Sequence, residues 1–263
     1  MKKGFTLAEV SMSKRTSGIK NEVLNSRVSE TKEPSGNIIK RCAFTLAEVL
    51  ITLTVIGIVA TLTIPAVSYS YQKKALYTAF TKEYNTIAEA ANMAAGEESP
   101  VTWNYGGDMN DFIDEYLIPY LKVTGRGEID DYFSPTSPIK LLNGTAMVTA
   151  SDFCQNFDCS DAFMVQDGTT YVVYYDGVND VYNKYVLVAF DTNGKKRPNT
   201  LGRDMFILEM GYYTENGIQK PYVGLLNLPT DGTCNPNGQD YISGSPQGVG
   251  CPDKLLKEGK MGY

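Results

Sequence analysis

Carboxylates and cysteines are the side chains of this 263-residue chain that could do chemistry, because the sequence contains no histidine. The lack of histidine excludes Ser-His and Cys-His nucleophilic machinery and the usual zinc hydrolase sites. The adjacent acids Asp130 and Asp131 stand in a stretch flanked by Gly and Pro, where we expect both to be solvated. The glycines of the sequence also lack the strand–turn–helix setting of a phosphate-binding loop. We therefore expect that the protein is not an enzyme.

Residues 191–204, between two predicted strands, carry side-chain oxygens at a spacing that could bind a cation. Asp191 and Asn193 occupy alternate positions and a glycine follows them, as at the opening of a calcium loop. Asp204 could close the shell of oxygen ligands, and Asn199 could add an amide oxygen. The loop lacks a late bidentate Glu and contains a run of three basic residues. A long hairpin turn with Asx hydrogen bonds is therefore the alternative.

An apolar run covers residues 43–67 and contains a single charged side chain, Glu48. The run is long enough to cross the hydrocarbon core of a bilayer, which needs about 20 apolar residues in a helix. A carboxylate near the end of a membrane helix costs on the order of a few kcal/mol unless a cation neutralises it. A helix that packs beside copies of itself could pair Glu48 with a cation from a neighbour. The run thus predicts a membrane helix that takes part in assembly.

The six residues that begin at Ala43, with the sequence AFTLAE, and the apolar run after them resemble the class III signal of type IV prepilins and type II secretion pseudopilins. The resemblance implies that a prepilin peptidase cuts between Ala43 and Phe44 and methylates the new amino group. Glu48, the fifth mature residue, would then pair with the terminal amine of an adjacent subunit. Gly57 and Pro65 stand where this family commonly has a helix-loosening glycine and a kinking proline. The departure is alanine, in place of the commoner glycine, before the cut.

Basic residues predict the orientation of the apolar run in the membrane. Lys40 and Arg41 directly precede the run and favour a cytoplasmic N-terminus, so we expect a single-pass inner-membrane protein whose C-terminal part is exported. The polar residues before the run show no periodicity, which is typical of a dispensable leader. We expect a removed leader at 1–43, a transmembrane and assembly half-helix at 44–67, an amphipathic half-helix at 68–95 and an exported α+β domain at 96–263.

Residues 4–10, GFTLAEV, nearly duplicate residues 43–49, AFTLAEV. The first copy runs into Ser11 and further polar residues, so no membrane segment follows it. We interpret it as a non-functional copy, and a second processing site is the alternative. The mass of the mature N-terminus separates the two, because processing at the first copy would give a chain that starts at Phe5.

The net charge of the chain changes sign at the predicted cleavage site after Ala43. Residues 1–43 contain nine Lys and Arg against four Asp and Glu, whereas the whole chain has 24 against 30. The remainder after residue 43 therefore has 15 basic and 26 acidic residues, a net charge of −11. Such an acidic domain argues against nucleic-acid binding through phosphate contacts and is compatible with divalent cations.

Four cysteines follow the apolar run, and Cys42 precedes it. An even number in an exported, loop-rich domain favours disulfides. Three pairings are possible, and we favour Cys154–Cys159 and Cys234–Cys251 because each pair brackets a loop without order of its own. A bridged loop near the C-terminus also resembles a common pilin feature. Free thiols and a metal site are the alternatives, although neither pair has the CxxC spacing and histidine is missing.

The apolar pattern after Pro65 continues as an amphipathic helix that ends at Gly96 and Pro100. Its predicted apolar stripe comprises Val67, Tyr71, Leu76, Phe80, Tyr84, Ile87, Ala88 and Ala91, with Glu83 among the polar residues on other faces. Residues 108–122 read as a second short helix with Phe112, Ile113, Tyr116 and Leu117 facing inward. We expect loops at 123–145 and little regular structure from Pro229 onward.

Five short β-branched or aromatic segments predict an antiparallel meander. They cover residues 146–150, 162–166, 169–175, 185–190 and 205–210, with tight turns at Asp167-Gly168 and Asp176-Gly177. The sheet should cover the apolar stripe of the long helix. The predicted fold is therefore α+β, a long N-terminal helix on a small antiparallel sheet, which resembles the pilin roll.

The resemblance implies a structural subunit of a type IV pilus-like filament, and a pseudopilin of a type II secretion system in particular. The alternatives are a type IV pilus or DNA-uptake pilin, or a membrane-anchored adhesin exported by the same route. Expected partners are copies of this chain or other pilin-like subunits, a prepilin peptidase and an inner-membrane assembly platform, with no nucleic acid. Some pseudopilins bind calcium in a loop of the globular domain, so the family resemblance also favours calcium as the ligand of residues 191–204.

Overall fold

The computed structural model describes residues 44–132, 139–147, 154, 158–175, 185–194, 196–225, 232–242 and 245–263. The chain divides into two units, with the boundary between Leu53 and Thr54. The expected leader with its copy of the motif, the residue Ala43 and the Asp176-Gly177 turn lie outside the described residues. Domain boundaries at 43, 67 and 95 therefore stay predictions.

The first element is the long helix α1, Leu46–Glu97, which agrees with the predicted helix to within two residues at each end. It continues through Pro65, and threonine hydroxyls form hydrogen bonds to backbone carbonyls in the turns before that proline. The Thr61 hydroxyl donates to the carbonyl of Gly57 at 2.7 Å, and the Thr63 hydroxyl donates to Val59 at 2.9 Å. A bend at Pro65, which lacks the N–H for one helical hydrogen bond, stays a prediction.

The buried face of α1 begins later than the sequence pattern predicts. Its buried residues are Phe80, Glu83, Ile87, Ala90, Ala91 and Ala94, at helical steps of three and four. Val67 and Tyr71 are instead 68% and 73% exposed. The assignment of Glu83 to a polar face was also wrong, because Tyr171 donates a hydrogen bond to its carboxylate inside the fold.

A seven-stranded antiparallel sheet covers that face of the helix in the second unit. Its main path runs β1-β3-β4-β5-β6-β7, and β2 pairs with β4. The strands are β1 Val123–Gly127, β2 Asp158–Cys159, β3 Ala162–Val165, β4 Thr170–Tyr175, β5 Tyr185–Asp191, β6 Met205–Glu215 and β7 Ile218–Gly224. Four of the five predicted strands are present, but β6 extends five residues beyond its predicted end, and the strand β7 that pairs with it was not predicted. Only an isolated bridge at Ala146 represents the fifth among described residues.

Three segments differ from the sequence-based expectation. The second helix is shorter, because α2 covers Met109–Tyr116 and a 3-10 turn at Ile118–Tyr120 follows around Pro119. The expected loop after it contains strand β1, paired with β3, and the short helix α3, Ile129–Tyr132. The C-terminal region contains a small β8–β9 pair, Tyr241–Ile242 with Ser245–Pro246, and the helix α4, Cys251–Glu258.

Aromatic side chains join the helix to the sheet. The Phe80 ring of α1 lies 4.7 Å, centroid to centroid, from Phe206 of β6, and Phe190 of β5 packs against both. Trp103 is buried and stacks 4.9 Å from Tyr116 of α2. These contacts confirm the predicted α+β class, in which a long N-terminal helix packs on an antiparallel sheet.

Candidate functional site

Glu48 closes a capping box at the start of α1. The Thr45 backbone N–H and its hydroxyl each lie 2.8 Å from Glu48 Oε2, and the Glu48 N–H donates to the Thr45 hydroxyl at 3.2 Å. This is the reciprocal T-x-x-E arrangement that satisfies free N–H groups at a helix N-terminus. Two of these three bonds end on the carboxylate, and both use Oε2. The other carboxylate oxygen, Oε1, is therefore open to a cation from outside the helix.

The apolar half of α1 is exposed along its whole length. An 18-residue window has a mean hydropathy of 2.3, and none of that window is buried within the chain. Phe44, the residue after the expected cut, is 84% exposed. Contiguous apolar surface of this extent is unfavourable in water and marks a segment that another apolar phase covers. By length and composition this helix qualifies to cross a membrane.

The loop between β5 and β6 brings the four predicted oxygen-bearing residues together. Asp191 is the last residue of β5, and its Oδ1 accepts the N–H of Asn193 at 2.9 Å. The Asn193 amide donates to Asp204 Oδ2 at 2.8 Å, and the Thr200 N–H donates to Asp204 Oδ1 at 2.5 Å. Asp191, Asn199 and Asp204 are all buried.

Backbone conformation fixes the loop at two positions. Gly194 has a φ of +61°, and a Cβ there would lie 2.4 Å from the carbonyl oxygen of Gly168. Asn199 has a φ of 44°, a left-handed conformation that Asn adopts more readily than most residues. The sequence thus supplies a glycine and an asparagine where the turn requires them.

The buried carboxylates have unusual proton affinities. Burial raises the pKa of Asp191 from its ordinary 3.8 to about 8, and the charge of Asp204 adds to the shift. Burial also raises the pKa of Asp204, against the opposing effect of the Thr200 N–H and the Asn193 amide. Two buried acids that share one loop are unfavourable when both are charged, unless a cation joins them.

Two buried oxygens at this loop, one of them on strand β4, are available to a cation. Thr170 Oγ1 and Asn193 Oδ1 are buried and have no hydrogen-bond partner in the described part of the chain. Thr170 stands directly opposite Asp191 in the β4–β5 ladder. In one orientation of its amide, Asn199 donates to Lys196 O at 2.9 Å and to Asp191 Oδ2 at 3.3 Å.

The donor set fits calcium better than a softer metal. It consists of two carboxylates, two amide oxygens and a hydroxyl, all of them hard oxygen donors of the kind that calcium takes. Among the described residues there is no cluster of three or more His, Cys, Asp or Glu that could hold a metal. A zinc-type site is therefore not formed by the described residues, and the loop remains a candidate for a hard cation.

The four cysteines after the apolar run form two disulfides, Cys154–Cys159 and Cys234–Cys251. Their Cα atoms are 5.6 Å and 4.8 Å apart. Cys251 is fully buried against Gly202, near the end of residues 191–204 (the acidic loop), and a Cβ on Gly202 would lie 2.6 Å from the Cys251 Sγ. The second disulfide therefore packs the C-terminal region onto the loop of the candidate cation site.

The comparisons with known proteins bear on the N-terminal segment. Residues 39–64 match the family described as the prokaryotic N-terminal methylation motif. No curated protein and no solved structure matches the chain. The match covers Ala43, Phe44, Glu48 and Gly57 and ends just before Pro65. The chain thus carries a type IV pilin-like, prepilin-type signal, followed by a helix of the length and composition of a membrane anchor.

Two contributing residues were missed from the sequence. Thr45 was identifiable, because its spacing from Glu48 is that of a capping box. Thr170 was not identifiable, because only the β4–β5 register places its hydroxyl beside the acidic loop.

Proposed function

We propose that this protein is a structural subunit of a type IV pilus-like filament, and specifically a pseudopilin of a type II secretion system. The observation that carries the proposal is the methylation motif with Glu48 inside it. The unburied apolar half of α1 supports it, because such a surface needs lipid before assembly and neighbouring helices afterwards. The subunit has no catalytic task in this proposal; the chemistry at its N-terminus belongs to the peptidase.

Processing removes residues 1–43 and leaves Phe44 at the new N-terminus. A membrane prepilin peptidase cuts after Ala43 and methylates the amino group of Phe44. Basic residues before the apolar run hold the leader in the cytoplasm, so residues 68–263 are exported. Helix residues 44–67 then anchor the subunit in the inner membrane until the assembly platform adds it to the filament.

Glu48 has two roles in this proposal. Within its own helix it closes the capping box with Thr45 through Oε2. Between subunits its remaining oxygen, Oε1, pairs with the methylated terminal amine of a neighbour. That ion pair offsets the desolvation of a carboxylate in the apolar core of a filament, where an unpaired charge is unfavourable.

We further propose that the loop of Asp191, Asn193, Asn199 and Asp204 binds calcium. The support is the fit of the oxygen donors and the two buried oxygens without partners. The cation would hold together the loop and, through Gly202, the disulfide-bridged C-terminal region. A calcium loop in the globular domain also favours the secretion pseudopilin over the pilus pilin, by resemblance to pseudopilins that have one.

The competing function is that of a type IV pilus or DNA-uptake pilin, or of an anchored adhesin. Deletion of the gene in its own host separates these proposals. A pseudopilin predicts that secreted enzymes accumulate in the periplasm, while surface pili, twitching and DNA uptake stay normal. The opposite pattern would assign the protein to a pilus. Normal secretion and normal pili, with loss of attachment to a surface, would assign it to the adhesins.

A further inference from the structure

A small basic and aromatic cavity lies beside α1, a short distance beyond its apolar half. The cavity has a volume of about 150 Å³, room for a phosphate group. Lys73 and Arg203 supply its positive charge, and Tyr69 and Tyr263 contribute aromatic walls. Leu76 and Met261 line its apolar side. Among the described residues that line it, none is Asp or Glu.

The walls of the cavity are held by contacts within the second unit. The Tyr263 hydroxyl donates to the carbonyl of Gly202 at 2.6 Å, which fixes the ring next to Arg203. The Lys73 ammonium lies 4.4 Å from the centre of the Tyr69 ring. Glu258 is near Tyr263, but the Lys254 ammonium lies 4.0 Å from the Glu258 carboxylate and offsets its negative charge.

Neither cation of the cavity forms a salt bridge within the described part of the chain, although Lys73 packs on Tyr69 and the charge of Arg203 acts on the neighbouring Asp204. The salt bridges of the described residues include neither Lys73 nor Arg203. Their position is unusual, because the chain after residue 43 has 15 basic against 26 acidic residues. Two cations that converge on one cavity of an acidic protein indicate an anionic ligand.

The height of the cavity along α1 matches the headgroup layer of a bilayer. The apolar run ends at Val67, and Tyr69 and Leu76 lie about 3 Å and about 14 Å farther along the axis, at about 1.5 Å per residue. The polar layer on each side of the hydrocarbon core is about 5–8 Å thick. A Lys73 ammonium at this level reaches lipid phosphates, and tyrosines concentrate at the same depth.

We infer that this cavity binds the phosphate of an anionic phospholipid headgroup in the leaflet next to the exported domain. Lys73 and Arg203 would contact the phosphate, and the Tyr69 ring, which is the lining group nearest the apolar run, would face the start of the acyl chains. The site would hold the globular domain against the membrane and release it when the subunit leaves the bilayer for the filament. The inference rests on the proposed membrane anchoring and is independent of which filament the protein joins.

Lipid retention by the mature chain, purified in mild detergent, tests the site. Native mass spectrometry counts bound lipids after addition of phosphatidylglycerol or phosphatidylcholine. We expect one retained phosphatidylglycerol at concentrations where phosphatidylcholine is not retained. In the variant K73Q/R203Q we expect the affinity of the chain for phosphatidylglycerol to fall about tenfold or more, since each cation near a lipid surface contributes about 1 kcal/mol.

The matched control is K74Q/K260Q, which removes the same charge from two exposed lysines that do not line the cavity. It should retain phosphatidylglycerol like the wild type, and equal loss in both variants would overturn the site in favour of diffuse attraction. Inorganic phosphate that binds as tightly as the lipid would overturn the lipid assignment. Retention that requires a second copy of the chain would overturn it as well. Membrane insertion of both variants, measured by flotation with zwitterionic vesicles, reports separately on the anchoring.

Discussion

The carboxylate of Glu48 combines a helix-capping role with a proposed assembly role, and substitutions can separate them. Glutamine at position 48 keeps the capping box, because Gln serves there as well as Glu, but removes the charge. We expect Glu48→Gln to insert in the membrane and to be cleaved normally, yet to leave few or no filaments. Thr45→Ala keeps the charge and removes the cap, at about 1 kcal/mol of helix stability, and should still assemble. Filament yield by electron microscopy is the measurement.

Glu48→Gln filaments at the wild-type level would show that the charge does not matter for assembly. Loss of filaments in Thr45→Ala alone would assign Glu48 to capping instead. Either result leaves the processing of the N-terminus untouched, because the cut lies before both residues.

The pKa of Asp191 predicts how stability depends on pH in the absence of calcium. An acid whose pKa rises from 3.8 to about 8 on folding binds more protons folded than unfolded between these values. Stability therefore falls as pH rises through this window. The chain has no histidine, so few other groups titrate there. In EDTA we expect the melting temperature to fall by at least about 3 °C between pH 5 and pH 8.

Calcium should remove this fall, because binding to the folded state stabilises it by mass action. Asp191→Asn should melt with little dependence on pH and should not respond to millimolar calcium. Asp131→Asn, which changes an exposed acid elsewhere, should behave like the wild type. A wild-type melting temperature that is flat with pH and unmoved by calcium would contradict the proposed site.

At the scale of elements, a buried hydrogen bond holds α1 in register on the sheet. The Tyr171 hydroxyl of β4 donates to Glu83, which is 2% exposed, and Lys82 lies 3.2 Å from the same carboxylate. Removal of one partner leaves the buried carboxylate short of a hydrogen bond, which costs about 1–3 kcal/mol. We expect Tyr171→Phe to lower the free energy of unfolding by that amount in a denaturant titration.

The same strand supplies the control for this substitution. The hydroxyl of Tyr175 is buried and has no partner in the described part of the chain. Tyr175→Phe should therefore leave stability unchanged or raise it, since it removes an unsatisfied polar group. Equal destabilisation by both substitutions would mean that ring packing, and not the bond to Glu83, explains the effect.

The two disulfides should contribute unequally to the stability of the folded chain. Cys154–Cys159 joins residues 5 apart and Cys234–Cys251 residues 17 apart. By the loop-closure estimate they stabilise the folded chain by about 2 and about 3 kcal/mol. We expect replacement of the second pair by alanine to destabilise more, and also to weaken the calcium response, because Cys251 packs on Gly202 beside the loop. Unaltered calcium response after that replacement would show that the loop holds its shape without the disulfide.

At the scale of the whole molecule, local sequence patterns predicted most helices and strands. The features that were missed depend on pairing between residues distant in sequence. The helix α1 and four sheet strands follow from periodicity, and the pairing of the cysteines follows from the loops they bracket. Strand β1 was missed because a Gly-rich segment, VTGRG, reads as a loop until β3 pairs with it. The burial of Glu83 was missed because Tyr171 is distant in sequence.

The candidate sites were predictable to different extents. The processing and assembly residues form one short motif, so the sequence alone predicts them, and the family match covers the same segment. The acidic loop was identifiable by its oxygen side chains, but the burial of Asp191 and the position of Thr170 depend on neighbouring strands. The basic cavity was not identifiable at all, because it joins α1 to a distant loop and to the C-terminal residues.

The N-terminus of the protein isolated from its native membrane tests the central claim most directly. Mass spectrometry of the terminal peptide should give a chain that begins at Phe44 and carries one methyl group on its amine. A chain that still begins at Met1 would contradict the account, and one that begins at Phe5 would assign processing to the first copy of the motif.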